Sequence, residues 1–333
     1  MCVILAIESS CDETSASVIS NGKVLNNVIA TQSIHEIYGG VVPELASRAH
    51  LQKILPIVKS AMDTANIKPV DLDAVAYTKG PGLLGSLLVG ASFAKAMSMA
   101  LSIPLIGVNH MKAHILAHFI DEPRPGFPFL CLTVSGGHTQ LVVVKSEIEM
   151  DIIGETRDDA VGEAFDKCAK IMGLPYPGGP LIDKYGQLGD HRKYKFSKTD
   201  MPGLEFSFSG IKTGFMYFLK KEIQLNPNFV EENLNDICAS IQFHLIEMLM
   251  EKLQKAVKET NLNQVAVAGG VSANSELRKR LMQWSKDTNN DVFIPEFQYC
   301  TDNAGMIAMA AHFLYKHEIF EDHSSVPEAR LVF

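Results

Sequence analysis

The sequence contains no uninterrupted apolar stretch of the ~18 residues that cross a bilayer. Its N-terminal apolar run, Val3–Ile7, has five residues and no preceding positive charge, so we interpret it as a first strand and not as a signal peptide. The six cysteines form no CxxC pair, which disfavours a thiolate zinc site and a redox motif. These absences predict a soluble, cytoplasmic protein without membrane association.

Several catalytic motifs are missing as well. No Walker A or GxGxxG pattern is present, which disfavours a P-loop enzyme and a dinucleotide-binding fold. The HExxH pattern is absent, so a zinc protease would lack its general base. Positive charge is also scarce, since 30 Lys and Arg residues face 38 Asp and Glu residues and the net charge is −8. This balance excludes a protein whose whole surface binds nucleic acid by neutralising phosphates.

The composition is that of a globular protein, with 47% apolar and 20% charged residues. At about 150 residues per domain, the length of 333 residues predicts roughly two domains. Strand patterns at Val3–Ile7 and Ala16–Ser20 are repeated at Phe129–Val134 and Thr139–Val144. The residue pattern predicts helices at about 44–66, 84–100, 160–172, 209–221, 235–259, 274–286 and 303–316. We therefore predict two related α/β halves, joined by the Pro-rich stretch Pro123–Pro128.

Three glycine-rich loops join predicted strands to the next element: Lys79–Gly85, Ser135–Gly137 and Gly269–Asn274. Glycine lets backbone N–H groups approach a phosphate, and a helix N-terminus adds a favourable dipole. Each loop taken alone is better explained as a tight turn or a helix cap. Three such loops in one chain favour a bound nucleotide.

His110 and His114 stand four positions apart in a predicted helix, which places their imidazoles one turn apart on one face. This spacing suits zinc or iron(II), which bind neutral imidazole. Asp302, at the start of another predicted helix, would complete a set of two histidines and one carboxylate. The alternative is that both histidines are ordinary surface or capping residues.

Acidic residues supply further candidates. Asp12 and Glu13 follow the first strand, where a turn would direct their carboxylates into a cleft, although capping of the turn is an alternative role. Asp166 and Asp183 are candidates of the same kind. In the stretch 176–180, Tyr-Pro-Gly-Gly-Pro, the glycines would let a ligand contact the backbone.

The segment Lys184–Lys221 holds eight basic and three acidic residues, a net charge of +5, which leaves −13 for the rest of the chain. Four aromatic residues lie within it: Tyr194, Phe196, Phe206 and Phe208. Basic residues interleaved with aromatics are typical of RNA binding, in which bases stack and phosphates pair with cations. The alternative is a solvated loop over a core.

Ten long motifs run in order across nearly the whole chain: IESSCDETSASV, YGGVVPELASRAH, GPGLLGSLLVG, HMKAH, TVSGGHTQL, GEAFDK, YPGGP, FSFSGIKT, AGGVSAN and CTDNAGMIA. With these motifs the sequence resembles the TsaD/Kae/Gcp family, the threonylcarbamoyltransferases of tRNA adenosine modification, and its compact length is similar to the bacterial branch. Lys112 departs from the family, which commonly has glutamate there, and Ser9 replaces a common threonine.

The resemblance implies an α/β fold class, the actin/Hsp70-like (ASKHA) fold with two RNase H-like halves around a nucleotide cleft. The N-terminal half would span residues 1–125, with the C-terminal helix of residues 301–333 packing back on it, and the C-terminal half would span residues 126–300. The implied reaction transfers the threonylcarbamoyl group from threonylcarbamoyl-adenylate to N6 of adenosine 37 in tRNAs that read ANN codons, and releases AMP.

Carried over motif by motif, the resemblance also implies site residues. One divalent metal ion, Fe²⁺ or Zn²⁺, would be bound by His110, His114 and Asp302. The threonylcarbamoyl-adenylate, AMP or ATP would contact Thr133, Val134, Ser135, Gly136, Gly137, Asp166, Gly179, Asp183 and Asn274. Asp12 and Glu13 are our candidates to position or deprotonate the N6 amine.

The implied partners are the tRNA anticodon loop, a TsaB-type paralogue and a TsaE-type ATPase, with the adenylate supplied by a TsaC-type synthase. Two other functions compete with this one. An ATP-dependent kinase or hydrolase of the same superfamily would hold Mg²⁺ with carboxylates and water and not with a histidine pair. A catalytically silent scaffold would have no use for two histidines and a carboxylate at metal-binding spacing.

Overall fold

The strands of the chain form two β-sheets in the computed structural model, which describes residues 2–32, 34–196, 198 and 201–333. Contacts divide the chain into two units. The first unit comprises Met1–Arg124, Ser146–Glu149 and Pro295–Phe333, and the second comprises Pro125–Lys145 and Met150–Ile294. Each unit contains one sheet with helices packed against it.

The first unit alternates strands and helices. In chain order they are β1 (Val3–Glu8), β2 (Thr14–Ser20), β3 (Lys23–Val24), β4 (Val28–Ala30), α1 (Ile34–Tyr38), α2 (Pro43–Ala65), β5 (Ala74–Gly80), α3 (Leu84–Leu101), β6 (Leu105–Asn109) and α4 (His110–Leu116). Its sheet has the order β3-β2-β1-β5-β6, with β4 also paired to β2. β1 is antiparallel to β2 and parallel to β5, which is parallel to β6.

The second unit repeats this strand arrangement. Its elements are β7 (Phe129–Val134), β8 (Thr139–Val144), β9 (Met150–Glu155), α5 (Val161–Ile171), α6 (Gly178–Gly186), α7 (Ser209–Leu225), α8 (Phe229–Thr260), β10 (Gln264–Ala268), α9 (Ser275–Asp287) and β11 (Asp291–Phe293). The last helix, α10 (Ala304–Lys316), belongs to the first unit. The second sheet has the order β11-β10-β7-β8-β9, in which β7 is antiparallel to β8 and parallel to β10. The predicted α/β class is confirmed.

The apolar patterns of the sequence account for the two cores. Every residue of β1 and of β7 is buried, because a strand covered on both faces takes apolar residues at successive positions. The apolar residues at helical spacing along α8 lie on its buried face: Ile237, Ile241, Leu245, Leu249 and Leu253 are fully buried, and Val257 is partly buried. Each such side chain contributes about 1.5–3 kcal/mol when it leaves water.

Several elements differ from the sequence prediction. β9 was not predicted, and α8 begins at Phe229 instead of 235, with non-helical backbone angles at Asn233. Pro56, a residue type that usually kinks or ends a helix, lies inside α2 without dividing it. α6 replaces the loop expected around residues 176–180, because the Asp166 carboxylate accepts hydrogen bonds from the Gly178 and Gly179 N–H groups at 2.8 and 3.1 Å. This distant carboxylate caps the helix in place of Pro177, which has no side-chain donor or acceptor.

Among the described residues, α3 is long and apolar enough to cross a membrane by length and composition. One such helix is weak evidence for a membrane span, because core helices of soluble proteins can have the same length and composition. α3 packs against α2 and β5, and it leaves Leu84 and Leu88 exposed.

Candidate active site

The first unit brings chemically active residues together at the carboxyl ends of its parallel strands. β1 ends at Glu8, β5 ends at Gly80 and β6 ends at Asn109. The carboxyl edge of a parallel sheet is where ligands bind in open α/β folds. α4 begins directly after β6 because Asn109 caps it, its side chain accepting from the Met111 and Lys112 N–H groups.

His110 and His114 lie one helical turn apart on α4, with ring centroids 4.7 Å apart. Oδ1 of Asp302 lies 3.3 Å from Nε2 of His110 and 3.2 Å from Nε2 of His114. One ligand atom from each of the three residues lies within 4.8 Å of the others, so they form a possible metal site. We call these three residues the His–His–Asp triad. The structure thus brings together the residues that the sequence predicted as ligands.

Asp302 reaches the triad because α10 is fixed to the sheet. The side chain of Asn303 caps α10 by accepting from the Met306 N–H, and the Ala304 N–H donates to Ser15 Oγ at 2.8 Å. These two bonds hold the residue before them, Asp302, beside α4.

Sequence reasoning missed Glu8, a fully buried carboxylate behind the triad. Its Oε2 lies 3.1 Å from His110 Nδ1 and accepts from Thr78 Oγ1 at 2.6 Å. The signal in the sequence was an acidic residue at the end of an otherwise apolar strand.

The charges of the site call for a cation. Burial opposes ionisation of Glu8 and Asp302, but His110 holds the pKa of both carboxyls below the usual range. Burial lowers the pKa of His114, which keeps that imidazole neutral. Burial also opposes the charge on His110, but Asp302 and Glu8 raise its pKa well above the usual value. Without a metal, the protonated His110 carries the positive charge between two carboxylates, and a divalent cation fits this donor set.

The loop that carries Asp12 and Glu13 is held by His50 of α2. Nδ1 of His50 lies 2.8 Å from Thr14 Oγ1, and Nε2 lies 3.0 Å from the carbonyl oxygen of Cys11. Burial and the nearby charges of Asp302 and Asp12 raise the pKa of Glu13 to about 9. Glu13 is therefore protonated at neutral pH in the metal-free protein.

Lys112 lies on α4 but not in the triad. Its ammonium lies 5.4 Å from the ring centroid of Phe333, and burial lowers its pKa. The departure from the family glutamate therefore places a half-buried cation against the end of the chain.

The glycines of the loop Lys79–Gly85 are explained by packing. A Cβ atom on Gly82 would lie 2.6 Å from the carbonyl oxygen of Ser10, and one on Gly80 would lie 2.0 Å from that of Glu328. The loop closes on Ser10 through a hydrogen bond from the Leu83 N–H at 2.7 Å. This agrees with the interpretation of the loop as a tight turn.

In the second unit, the predicted substrate residues Thr133 to Gly137 differ in accessibility. Thr133 and Val134 are fully buried in β7. Ser135 is engaged in the turn, where its Oγ accepts from the His138 N–H and its carbonyl accepts from the Gly162 N–H. Gly136 and Gly137 are exposed, with open space where a side chain would be. These two glycines are the solvent-accessible part of the motif.

Asp166, Gly179, Asp183 and Asn274 all take part in hydrogen bonds that hold helices of the second unit together. Asp166 caps α6 at Gly178 and Gly179, and Asp183 on α6 accepts from the backbone N–H and the hydroxyl of Ser275. Asn274 caps α9, while its amide donates to Gln242. The network fixes α5, α6 and α9 against each other.

The four aromatic residues in Lys184–Lys221 pack against the core of the second unit, which argues against the stacking on RNA bases that the sequence pattern suggested. Phe206 and Phe208 are buried, and Tyr194 and Phe196 pack against the same core. Two of the segment's lysines are neutralised, Lys193 by Asp236 at 2.7 Å and Lys198 by Glu251. Residues 197, 199 and 200 of the segment lie outside the described residues.

Part of the exposed positive charge of this segment lies on α7. Lys212, Lys220 and Lys221 are exposed, and no described carboxylate pairs with them. Tyr217, 63% exposed, lies three and four positions before Lys220 and Lys221, so it shares a face of the helix with these two lysines.

Comparisons with known proteins agree on one family. The model of the TsaD family, tRNA N6-adenosine threonylcarbamoyltransferase, matches residues 23–309. Curated relatives described as tRNA N6-adenosine threonylcarbamoyltransferase include one from Cytophaga hutchinsonii, 61% identical over 98% of this chain and 96% of its own length. Another, from Christiangramia forsetii, is 59% identical over 99% of this chain and 98% of its own length.

Two solved structures show the fold at low sequence identity. Full-length HypF, in a phosphate- and nucleotide-bound form, has a TM-score of 0.61 and 14% identity over 96% of this chain and 47% of its own. Component A of the (R)-2-hydroxyglutaryl-CoA dehydratase of Acidaminococcus fermentans has a TM-score of 0.54 and 14% identity over 95% of this chain and 99% of its own. The predicted actin/Hsp70-like fold class is confirmed.

Proposed function

The chain belongs to the TsaD family of tRNA N6-adenosine threonylcarbamoyltransferases, and from that premise we propose how its residues carry out the transfer. The protein is an acyltransferase that moves the threonylcarbamoyl group from threonylcarbamoyl-adenylate to N6 of adenosine 37 in tRNAs that read ANN codons, and it releases AMP. The convergence of the His–His–Asp triad is the observation that carries the proposal. A kinase, a hydrolase or a silent scaffold is not favoured.

The triad binds one divalent metal ion in this proposal, Fe²⁺ or Zn²⁺, through Nε2 of His110, Nε2 of His114 and a carboxylate oxygen of Asp302. Two imidazoles and one carboxylate are a donor set that both metals accept. When bound, the metal supplies a Lewis acid that orients and polarises the carbonyl of the threonylcarbamoyl group.

Asp12 or Glu13 accepts the proton that the incoming amine loses. The N6 amine of adenine is a poor nucleophile because its lone pair is delocalised into the ring, so it needs an activated acyl donor and a proton acceptor. A bond forms between N6 and the carbamoyl carbon, the bond from that carbon to the AMP phosphate oxygen breaks, and the N6 proton passes to Asp12 or Glu13. Glu13, protonated in the metal-free protein, must lose its proton before it can act as this base.

Replacement of Glu13 by alanine tests this assignment. The single-turnover rate of transfer is expected to fall by about 10²- to 10⁴-fold, the usual contribution of a general base. Metal content and tRNA affinity, measured on the same preparation, are expected to stay at the wild-type level. A variant that retains the full single-turnover rate removes Glu13 from the reaction and leaves Asp12 as the candidate.

The second unit holds the adenylate in this proposal. Exposed backbone N–H groups at Gly136 and Gly137 bind the AMP phosphate and stabilise the charge that develops on it as it leaves. Thr133 and Val134 at the end of β7, together with Ser135, hold that turn in position. Asp166, Gly179, Asp183 and Asn274 complete the adenylate site by fixing the helices that border it.

The tRNA is contacted, in part, by the exposed surface of α7. Three lysines without carboxylate partners are available to phosphates, and the ring of Tyr217 is available for stacking on an unpaired base. An anticodon loop presents adenosine 37 without the need to open a duplex.

Neutralising Lys212, Lys220 and Lys221 together with glutamine tests the α7 surface. We expect weaker tRNA binding and a log–log salt slope lower in magnitude by about 3, since each of the three lost phosphate contacts lowers it by roughly 1. Binding is measured by filter retention or anisotropy over a salt series. The matched control neutralises Lys255, Lys258 and Lys279 on α8 and α9. An equal loss of affinity in the control would show only a general charge effect and contradict the assignment.

The partners in this proposal are a TsaB-type paralogue, a TsaE-type ATPase and a TsaC-type synthase that supplies the adenylate. An apolar surface on the first unit supports the first of these: Leu51 and Leu55 of α2 are 66% and 64% exposed, and Leu84 and Leu88 of α3 are 51% and 46% exposed. Each pair lies one helical turn apart, and α2 packs against α3; exposed apolar residues grouped in this way are typical of a protein interface. The proposal also includes a cytoplasmic location. It divides the chain into one half of residues 1–125 with 301–333 and another of residues 126–300, and the two units of the fold support this division.

A further inference from the structure

The imidazole of His110 is held between two carboxylates. On one side, Nδ1 of His110 lies 3.1 Å from Oε2 of Glu8. On the other side, Nε2 lies 3.3 Å from Oδ1 of Asp302. Asp302 belongs to the triad, whereas no ligand role falls to Glu8, which approaches His110 from the opposite edge of the ring. Glu8 therefore needs an explanation of its own.

Glu8 is fixed in place by the sheet. It ends β1, and the parallel register that pairs Ile7 with Tyr77 brings Thr78 beside it. The Thr78 hydroxyl donates to Oε2 at 2.6 Å, and the Ser10 N–H donates to Oε1 at 2.5 Å. The side chain is fully buried, and no Lys or Arg in the described ranges forms an ion pair with it. A buried carboxylate without a cationic partner is costly, so its charge must be balanced through His110.

The contact decides where a neutral His110 carries its proton. A neutral imidazole has one N–H, and the hydrogen bond that one nitrogen makes determines the role of the other. Ser10 Oγ also lies near Nδ1, at 3.2 Å, but a hydrogen bond to a carboxylate is the stronger of the two. With the proton on Nδ1, the lone pair of Nε2 is directed at the centre of the triad.

We infer that Glu8 is a positioning residue of the metal centre, which holds His110 in the tautomer whose Nε2 is free for the metal and makes that nitrogen more basic. The inference rests on the proposed metal site. A carboxylate behind a ligating histidine fixes the ring and raises its basicity, and its loss weakens metal binding by about 10- to 100-fold. His114 has no such support, because its Nδ1 is buried without a hydrogen-bond partner. Glu8 therefore acts on one histidine of the two.

Cobalt(II) binding to the full-length protein tests the inference. The dissociation constant of Co²⁺ is measured by equilibrium dialysis for the wild type, Glu8→Gln, Glu8→Ala and His114→Ala. Glu8→Gln keeps the shape and an acceptor oxygen but loses the charge, so we expect an affinity about tenfold weaker; for Glu8→Ala we expect about 100-fold. The matched control is Asp73→Asn. Asp73 directly precedes β5, and its carboxylate accepts from the N–H of Val3, at the opposite end of β1 from Glu8, at 2.7 Å. The control is expected to bind Co²⁺ like the wild type.

A second readout follows the proton itself. In the Zn²⁺-loaded protein with nitrogen-15-labelled histidine, we expect the Nδ1 proton of His110 to resonate downfield, as in a hydrogen bond to a carboxylate, and to move upfield in Glu8→Gln. A purely structural role of Glu8 would leave the metal affinity of the folded Glu8→Gln protein unchanged. Because glutamine has nearly the same shape as glutamate, Glu8→Gln is expected to fold, and it tests the inference even if Glu8→Ala does not fold.

The outcomes separate this inference from the proposed function. If His114→Ala binds Co²⁺ as tightly as the wild type, the metal site itself is wrong, and this inference falls with it. If Co²⁺ binding depends on His114 but not on Glu8, only the role of Glu8 is overturned. An equal loss in Asp73→Asn would show a general effect on the sheet and would also overturn it.

Discussion

Replacing His114 by alanine is expected to remove the bound metal and the transferase activity while the fold is retained. His114 supplies one of the three converging ligand atoms, and its side chain forms no other hydrogen bond than that to Asp302 in the described structure. The loss of a direct ligand should exceed the ~100-fold loss of affinity that follows from removal of a supporting residue. Metal content by elemental analysis and single-turnover transfer are the measurements, with circular dichroism as the check on folding.

His118 offers the matched control for this variant. It lies four positions further along the chain, in a short 3₁₀ turn after α4, and is buried like His114 but lies outside the triad. His118→Ala is expected to keep the metal, and Asp302→Asn, which changes the shape very little, is expected to lose it. Unchanged metal content in His114→Ala would remove His114 from the site.

A large loss of stability is expected for Gly269→Ala. Gly269 has φ of +89° and ψ of 169°, a region of backbone space that is open essentially to glycine alone. A Cβ atom there would also lie 2.4 Å from the carbonyl oxygen of Val134. We expect a cost of about 3 kcal/mol from strain, which lowers the Tm of the transition by roughly 6–12 °C in a unit of this size. Thermal unfolding followed by circular dichroism measures it.

The neighbouring glycine is the control for that variant. Gly270 has no atom within 4 Å of the position of an added Cβ and no positive φ, so Gly270→Ala is expected to leave the Tm unchanged or slightly raised. Equal shifts in the two variants would contradict the strain argument. Gly269→Ala also tests the candidate adenylate site, because Gly269 packs against β7, the strand that leads into Ser135–Gly137.

Local patterns were enough to predict much of the fold. The spacing of apolar residues in α8 follows from burial of one face of the helix, and the nearly continuous apolar runs of β1 and β7 follow from burial of both faces of a strand. Both patterns are visible within a single element. The pair His110 and His114 was visible for the same reason, since four residues make one turn of a helix.

The remaining features depend on contacts between residues far apart in the chain. The helix α6 starts at Gly178 because a carboxylate on α5 caps it, and the sequence around residues 176–180 gives no sign of that partner. Phe206 and Phe208 are interleaved with basic residues in the sequence, yet both are buried, since burial is decided by the tertiary fold. Glu8 and His110 meet across a sheet, 102 positions apart, so their contact has no local signal.

Analysis of tRNA nucleosides from cells depleted of this protein tests the central claim most directly. We expect N6-threonylcarbamoyladenosine to disappear from tRNA as the protein is lost, to return when the wild type is expressed again, and to stay absent when His114→Ala is expressed. Normal levels of the modified nucleoside in depleted cells that contain no second copy of the enzyme would contradict the account.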